Sequence, residues 1–173
     1  MKPILPEPMT VSDENLWLLT GDDWAPFFIR EVSQALTSIH LSIYMISDHW
    51  RAKEVGKINM VQTLCNAGLM GLNCRCIIDQ PVVANRHTPF NTKAAIKLMD
   101  SGWKVRVMPV KHTLHEKILL IDQRLTIIGS HNISKASAIS NLDTSLAVDS
   151  EVLAARVYRQ FWERWRMADT FKV

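Results

Sequence analysis

The sequence predicts an α/β fold, with a mixed β-sheet sandwiched by helices. Short β-prone runs and helical patterns alternate along the chain, which is typical of α/β domains. The length of 173 residues and the hydrophobic fraction of 47% are those of one compact domain with a proper core. There is no internal repeat and no linker, so residues 15–173 are predicted to form a single domain, preceded by an irregular N-terminal arm at residues 1–14.

The first half of the chain predicts three strands and two helices. Gly21-Asp22-Asp23 places acidic residues before the first helix, where they suit its N-terminus. The second helical pattern is weakened by Gly56 and ends at Gly71. In chain order the predicted elements are strand Leu16–Thr20, helix Trp24–Leu36, strand Ile39–Ile46, helix Lys53–Met70 and strand Asn73–Asp79.

The second half begins after a long polar loop, Gln80–Phe90. Asn91 is predicted to cap a helix that runs to Ser101, where Gly102 stops it. The last helix carries an apolar stripe, which is more typical of core packing than of a ligand platform and consists of Leu153, Val157, Phe161 and Trp165. The other predicted elements are strands Lys104–Met108, Ile118–Ile121, Leu125–Ile128 and Leu142–Val148, a short helix capped by Ser134, and the last helix capped by Ser150.

The strands Ile118–Ile121 and Leu125–Ile128 are close enough in sequence to form a hairpin. A two-residue turn at Gln123-Arg124 is the simplest connection. That turn sets Lys117 opposite Ser130 and His115 opposite Asn132. A slip of one residue would set the same pair opposite Gly129 and His131, so the polar residues cluster in either register.

This cluster suits attack on a phosphorus centre. His115 and Lys117 are two residues apart on an extended chain, so their side chains leave on one face. A neutral imidazole can act as the nucleophile, while an ammonium, a hydroxyl and a carboxamide hold the anionic oxygens. We therefore assign His115 to attack, and Lys117, Ser130 and Asn132 to binding the phosphoryl group.

Two further residues of the hairpin have other predicted roles. Gly129 offers a backbone with no side chain in the way of a ligand. Asp122 is separated from His115 and Lys117 by an odd number of residues and lies at the turn. It is therefore predicted to bond turn or loop amides rather than the phosphate.

The spacing of these residues resembles the signature of the phospholipase D superfamily. The pattern His-x-Lys-x4-Asp-x6-Gly-Ser-x-Asn is formed here by His115, Lys117, Asp122, Gly129, Ser130 and Asn132. Residues 15 to 168 are similar to the small single-motif branch, typified by bacterial endonucleases and their mitochondrial relatives. That branch usually has Asn-x-Glu after the motif, whereas this chain has Asn141-Leu142-Asp143; its turn, Gln123-Arg124, also departs from the usual Gly or second Asp. The resemblance implies that Asp143 orients a catalytic histidine, although as plain sequence it reads equally well as an ordinary strand-end carboxylate.

The resemblance also implies a dimer. Two-step phosphoryl transfer through a covalent phosphohistidine needs one group to attack and another to protonate the leaving oxygen. Larger members of the superfamily carry two copies of the motif, whereas this chain carries one. A twofold homodimer would bring His115 and Lys117 of both copies to one cleft, with no metal or cofactor required.

The expected function is a metal-independent phosphodiesterase of nuclease type, cutting DNA or RNA. One alternative is a phospholipase or phosphatidyl-transfer enzyme, which would call for an exposed apolar mouth; the polar loop Gln80–Phe90 does not suggest one. Another is a nucleic-acid-binding module with weak or no cleavage. The net charge of only +3 means that nucleic-acid binding must use local basic residues, for which the candidates are Lys111, Arg86, Lys135 and Arg51.

Neither a metal site nor a membrane segment is expected. His112 and His115 could be part of a metal site but lack further ligands. Cys65, Cys74 and Cys76 are predicted to be small core residues in a reducing compartment. The start of the chain lacks the apolar run of a signal peptide, which favours the cytoplasm; a signal peptide already removed would allow a periplasmic or secreted location.

Overall fold

The computed structural model describes residues 15–48, 59–80, 88–109 and 111–172. The predicted arm at residues 1–14, the start of the second predicted helix, and the basic residues Arg51 and Arg86 lie outside these ranges. The strands are β1 Asn15–Thr20, β2 Ser38–Ile43, β3 Asn73–Ile78, β4 Lys104–Val107, β5 Lys117–Ile121, β6 Leu125–Gly129, β7 Thr144–Asp149 and β8 Asp169–Thr170. The helices are α1 Trp24–Ser33, α2 Met60–Leu69, α3 Thr88–Asp100, α4 Lys135–Ile139 and α5 Glu151–Met167, and a 3-10 turn at Gly21–Asp23 precedes α1.

All eight strands of the described residues belong to one mixed sheet, which confirms the predicted fold class. The strand order is β1-β7-β6-β5-β2-β3-β4-β8; β2, β3 and β4 are parallel, and the other neighbours are antiparallel. One end of the sheet is therefore formed by the C-terminal ends of β2, β3, β4 and β6 and by the N-terminal ends of β5 and β7. We call it the motif end. The opposite end, where β5 turns into β6, is the turn end.

Helices pack on both faces of the sheet. On one face, α1, α2 and α3 form the main core with buried strand residues such as Leu41 and Ile43. On the other face, a second apolar cluster contains Phe161 and Trp165 of α5 together with Ile77. Of the stripe predicted for the last helix, Val157, Phe161 and Trp165 are buried, whereas Leu153 is half-buried.

A buried histidine lies on the α5 face of the sheet. His40 of β2 is 1% exposed and packs edge-on against the rings of Tyr158 and Phe161. Neither of its ring nitrogens has a hydrogen-bond partner among the described residues. Burial, together with the positive charge of Arg75, lowers the pKa of His40 to about 4.

Two predicted helix caps are confirmed, the predicted cap Asn91 is wrong, and the predicted start of the second helix at Lys53 lies outside the described residues. The hydroxyls of Ser134 and Ser150 accept hydrogen bonds from the first turns of α4 and α5. Within the described residues the second helix begins at Met60, because Asn59 is extended and accepts a hydrogen bond from the Val61 amide. Asn91, predicted as a cap, lies inside α3 instead, and its buried side chain bonds other segments.

The hairpin adopts the slipped register. Ile121 pairs with Leu125, so three residues form the turn and the predicted two-residue turn at Gln123-Arg124 is wrong. Asp122 and Gln123 both have positive φ, as the central residues of type I′ turns do, and the Arg124 amide donates to the Ile121 carbonyl at 3.0 Å.

The three cysteines are core residues, as predicted. Cys65, Cys74 and Cys76 are buried and form no disulfide. Burial raises the pKa of the Cys74 thiol to about 12, which keeps it protonated and unreactive.

Candidate active site

His115 and Lys117 lie together at the motif end of the sheet. His115 is exposed, two residues ahead of Lys117, the half-buried first residue of β5. The ring of Tyr44, which follows β2, contacts both: its centroid is 4.9 Å from that of the His115 ring and 5.0 Å from Lys117 Nζ. Lys117 Nζ also donates to the main-chain oxygen of His115 at 3.0 Å. The sequence pattern gives no signal for Tyr44, because only the fold brings the end of β2 beside the motif.

Ser130 and Asp143 form a hydrogen-bonded pair beside Lys117. The Ser130 hydroxyl donates to Asp143 Oδ1 at 2.8 Å and accepts from the Thr144 amide at 3.0 Å. Burial works against the ionised form of Asp143, but hydrogen bonds from Ser137, Ser130 and Asn141 outweigh it and lower the pKa of this carboxyl. Burial lowers the pKa of Lys117, and the charge of Asp143 partly offsets that effect. The hydrogen of Ser130 therefore points to a carboxylate, and donation to a phosphate oxygen would require this bond to break.

The charge of Asp143 acts on His131, which is a buried core residue. The residue is 1% exposed; its ring stacks on Trp24 with centroids 4.9 Å apart, and Nδ1 lies 2.8 Å from Ser145 Oγ. Burial lowers the pKa of His131, and Asp143 partly offsets this. That Asp143 also orients His115 stays a prediction.

The hydrogen bonds of Asn132 leave the NH2 group of its side-chain carboxamide for a ligand. Its Oδ1 accepts from the Met45 amide at 3.2 Å, its own amide donates to Ser137 Oγ at 3.1 Å, and its carbonyl accepts from Trp24 Nε1 at 3.2 Å. These contacts fix the side chain with the NH2 group as the remaining donor, which suits an anionic oxygen.

Gly129 has a structural reason to be glycine. A Cβ atom at this position would lie 2.2 Å from Ser145 Oγ and 2.4 Å from both Ser145 Cα and the Thr144 carbonyl oxygen. The close approach of β6 and β7 thus excludes a side chain, whether or not a ligand also approaches the backbone here.

Asp122 lies at the turn end and bonds loop amides, as predicted. Its carboxylate accepts from the amides of Leu36, Thr37 and Ser38 at 2.8 to 2.9 Å and from the Thr37 hydroxyl at 2.8 Å. Burial raises the pKa of Asp122, but these hydrogen bonds outweigh it, so the pKa lies below its usual value. This motif residue ties the hairpin to the start of β2, away from His115.

The family is shown by comparison with known proteins. A family model described as cardiolipin synthase, PLD-like domain, matches residues 28–165. The chain belongs to this PLD-like family. The matched range includes every motif residue and confirms the resemblance to the phospholipase D superfamily that the hairpin indicates.

Similar proteins include a phospholipase D of Rickettsia typhi, which is 23% identical over 137 residues. That alignment covers 79% of this chain and 59% of the Rickettsia protein, so the chain spans about three fifths of the length of the curated relatives it matches. Among solved structures, Nuc of Salmonella typhimurium, a phospholipase D family member, has a TM-score of 0.74 at 18% identity. NucT of Helicobacter pylori has a TM-score of 0.68 at 15% identity. Both structural matches cover 92% of this chain and the whole of the other chain, and they show a shared fold.

Three polar residues, whose roles the sequence analysis missed, hold the segments around the PLD-like motif through hydrogen bonds. Asp79, just after β3, is 3% exposed and accepts from the Leu114 amide at 2.8 Å. Asn91 donates to the carbonyls of Tyr44 and Asp79 and accepts from the Ile46 amide, so it joins the ends of β2 and β3. Their partners are distant in sequence, which is why no local pattern announces them.

The third of these residues is Glu116, between the two motif residues His115 and Lys117. Its carboxylate accepts from Ser42 Oγ at 2.7 Å, from Gln160 Nε2 at 3.1 Å and from Arg164 Nε at 3.0 Å. Its main-chain oxygen accepts from the Tyr44 amide at 2.9 Å. Through Glu116, helix α5 holds the start of β5 in place.

A cavity of about 310 Å³ opens beside His115. Its walls combine apolar and polar side chains and are formed by Met108, His112, Thr113, Leu114, His115, Glu116, Arg164 and Met167. A concave surface of this kind next to the proposed nucleophile has room for part of a substrate.

The candidate basic contacts are only partly described. Lys111 is exposed in the segment that leads to β5, and Lys135 is half-buried as the first residue of α4. Arg86 lies outside the described residues. Binding of a substrate by these side chains stays a prediction.

The described part of the chain contains neither a membrane-spanning helix nor a metal-binding group of side chains. In residues 15–48, 59–80, 88–109 and 111–172, no helix combines the length and apolarity needed to cross a membrane. Within the same part of the chain, no three His, Cys, Asp or Glu side chains are grouped so that they could hold a metal ion.

Proposed function

We propose that this PLD-like protein is a metal-independent phosphodiesterase of nuclease type, which hydrolyses nucleic-acid phosphodiester bonds at a site shared by two copies of the chain. The observation that carries the proposal is the placement of His115 and Lys117 against one Tyr44 ring at the motif end. An exposed imidazole beside an ammonium is the pair needed for attack on an anionic phosphodiester.

The reaction has two steps. A ring nitrogen of neutral His115 forms a bond to phosphorus, the bond from phosphorus to the leaving oxygen breaks, and a protonated histidine gives that oxygen a proton. Water then attacks the phosphohistidine, the second histidine takes the water proton, and the nitrogen–phosphorus bond breaks. Lys117 and the NH2 group of Asn132 hold the phosphoryl oxygens through both steps.

The second histidine is assigned to His115 of another copy. The described histidines of one chain other than His115 do not supply a convincing acid: His40 and His131 are buried core residues, and His112 is not part of the motif. A twofold axis at the motif end would set two copies of His115 and Lys117 around one phosphate. Residues Lys111, Lys135 and Arg86 are proposed to contact the flanking phosphates.

The nuclease reading is supported by the size of the matched unit. The fold match extends over the whole of Nuc and NucT, whereas the Rickettsia phospholipase D is matched over 59% of its length. The matched residues thus correspond to the whole of these two compact structures.

The primary test is cleavage of labelled single-stranded and double-stranded DNA and RNA in excess EDTA. Wild type should cut at least one of these substrates, and both His115→Ala and Lys117→Ala should fail to do so. Lys104→Ala is the matched control, because it removes an exposed lysine at the turn end of β4. Loss of wild-type cleavage on adding EDTA would contradict the proposal, and binding without cleavage would favour a nucleic-acid-binding module.

The shared site is tested by subunit mixing. A fixed amount of wild type is incubated with increasing His115→Ala protein, and cleavage is measured after subunits have exchanged. Mixed dimers contain only one His115, so activity should fall as the variant is added. Activity that depends only on the amount of wild type would show that each chain works alone.

A phospholipase or phosphatidyl-transfer activity is the second candidate. The family description and the name of the Rickettsia relative favour it. The chemistry at His115 would be unchanged, and only the substrate would differ. Release of headgroups from phosphatidylglycerol vesicles, absent in His115→Ala and without cleavage of any nucleic acid, would replace the nuclease proposal.

A further inference from the structure

Strands β1, β7 and β6 carry an exposed apolar patch on the face of the sheet where α5 packs. Leu18 pairs with Leu146, and Leu146 pairs with Ile128, so the three side chains lie in one row across the strands. Leu16 is two residues before Leu18 and lies on the same face, and Ile128 borders a groove formed with α5. The exposed fractions are 54% for Leu16, 63% for Leu18, 40% for Ile128 and 38% for Leu146. We call these four residues the outer patch.

The outer patch departs from the pattern expected of antiparallel strands. Trp17 and Leu19 already face the main core from the other side of β1, and residues that alternate with such core positions are usually polar. Helix α5 packs elsewhere on the sheet, because Phe161 and Trp165 cluster with Ile77 of β3. An exposed apolar surface of this kind indicates a site that another molecule covers.

The side of the outer patch that faces α5 is basic. The groove between the outer patch and α5 has a volume of about 550 Å³ and is lined by the exposed Arg156, Arg159 and Glu163. It also reaches Arg164, which lines the cavity beside His115 as well. The groove therefore adjoins the candidate active site.

The opposite side of the outer patch is acidic. A second groove of about 620 Å³ runs along β1 and is lined by the exposed carboxylates of Asp22 and Asp23. Arg30 also lines this groove, but its charge is paired with that of Glu31. A surface with an apolar centre, arginines on one side and aspartates on the other is complementary to itself after a half-turn.

We propose that the outer patch is the surface through which two copies of this chain form a dimer, with α5 of each copy lying over the outer patch of the other. A twofold axis parallel to the strands gives this arrangement and sets Arg159 of each copy beside the partner's Asp22. Val152, which is 64% exposed near the start of α5, then packs against the partner's Leu16. Such an axis keeps both motif ends on the same side, so that the two His115 residues face one cleft. This inference rests on the proposed function, which requires a second His115.

A second copy fits this surface better than an anionic membrane does. Acidic headgroups would attract Arg156 and Arg159 but repel Asp22 and Asp23. A copy of the chain satisfies both sides of the outer patch at once, because each basic side meets an acidic one.

The first test is the dimer dissociation constant, measured by sedimentation velocity over a range of protein concentrations. Wild type should sediment as a dimer, and Leu18→Lys should raise the dissociation constant at least about tenfold, because it places a charge at the centre of an apolar interface. Leu69→Lys is the matched control, since Leu69 is 70% exposed at the end of α2, on the other face of the sheet. This control should dimerise as wild type does. A monomeric wild type, or a folded Leu18→Lys protein with the dissociation constant of wild type, would overturn the proposal.

A second test leaves the outer patch intact and probes its flanking charges. Asp22→Lys and Arg159→Glu should each weaken the dimer, because each variant alone places like charges together at both symmetry-related contacts. An equimolar mixture of the two variants should dimerise better than either one alone, since both contacts of the mixed dimer join opposite charges. A mixture that dimerises no better than its components would contradict the twofold arrangement.

These measurements separate the surface from the function on which it rests, because sedimentation needs no turnover. A wild-type dimer that Leu18→Lys dissociates, but that cleaves no phosphodiester, would support the surface and remove the proposed function. Where wild type cleaves, Leu18→Lys should be inactive at concentrations at which it is monomeric and should regain activity as dimers form. Full activity of the monomeric variant would overturn the surface as the source of the second His115. A monomeric wild type whose binding to phosphatidylglycerol vesicles is lost in Leu18→Lys would replace the second copy with a lipid surface.

Discussion

The two ends of the β5–β6 hairpin carry residues of one motif in opposite physical states. At the motif end, His115 is exposed, and Lys117 and Asn132 are half-buried. At the turn end, roughly 16 Å away along five residues of strand, Asp122 is surrounded by the amides it binds. One sequence motif therefore contains residues that can bind a ligand and one, Asp122, whose carboxylate is already hydrogen-bonded within the fold.

The largest expected effect is at the motif end. His115→Ala should lower phosphodiesterase activity by at least about 10³-fold, because it removes both the nucleophile and the acid. The free energy of unfolding should change by less than about 0.5 kcal/mol, since the side chain is exposed. Activity and urea unfolding are measured on the same preparation. A His115→Ala protein that unfolds more easily but retains its activity would contradict the assignment of His115 to catalysis rather than to stability.

His40, a buried histidine of the same sheet, should affect the stability of the protein rather than its activity. The pKa of His40 is about 4 in the folded protein, against 6.5 for a histidine in the unfolded chain. Between these pH values the unfolded chain therefore binds more protons than the folded protein. The free energy of unfolding should therefore be at its full value above pH 6.5 and fall by about 3 kcal/mol as the pH drops to 4. His40→Phe, which cannot titrate, should lose most of this slope in unfolding experiments; an unchanged slope would assign the pH dependence to other groups.

Gly129 tests whether the motif end also has a packing requirement. Gly129→Ala would set a methyl group 2.2 to 2.4 Å from atoms of Ser145 and Thr144, so β6 and β7 must separate. We expect a loss of about 1–3 kcal/mol in the free energy of unfolding. Lys104→Ala, on an exposed strand position, should stay within about 0.5 kcal/mol. Equal stabilities would show that the close approach of the strands can relax without cost.

Asp122 tests the turn end directly. Asp122→Asn should cost about 1–3 kcal/mol at pH 7, because an amide cannot accept all the hydrogen bonds that the carboxylate accepts. Asn tolerates the positive φ of this position, so the change isolates the hydrogen bonds from backbone strain. The pKa of Asp122 is lowered in the folded protein, so its stabilisation is present above its unfolded pKa of about 3.9 and is lost as the pH falls through the folded value. The gap between wild type and Asp122→Asn, followed by urea unfolding at several pH values, should therefore narrow below about pH 4; a constant gap would contradict the ionic origin.

The sequence predicts features that depend on neighbouring residues. Alternation of strand and helix patterns, the caps Ser134 and Ser150, and the pairing of two adjacent strands follow from local propensities and short turns. The motif itself lies within one hairpin, which is why its residues could be brought together in either register.

The features that sequence analysis misses depend on distant contacts. The turn begins at Asp122 rather than Gln123 because the Asp122 carboxylate bonds residues 36 to 38, far away in the chain. Asn91 reads as a cap but is used in the core to join β2 and β3. Tyr44 and Asp79 reach the motif because the parallel strands β2 and β3 end at the same side of the sheet, where β5, antiparallel to β2, begins.

The smallest expected effect is also at the turn end and separates two kinds of charged contact there. The ion pair between Arg124 and Asp149 is formed by a half-exposed guanidinium at the surface, whereas Asp122 binds main-chain amides. Arg124→Ala should therefore change the free energy of unfolding by less than about 1 kcal/mol, and added salt should shrink the difference. The Arg124 carbonyl, which accepts from the Ser150 amide at 3.0 Å, is kept in the variant, so the start of α5 should be unaffected. A loss as large as that of Asp122→Asn in urea unfolding would mean that the ion pair, and not the amide-binding carboxylate alone, holds this end of the hairpin.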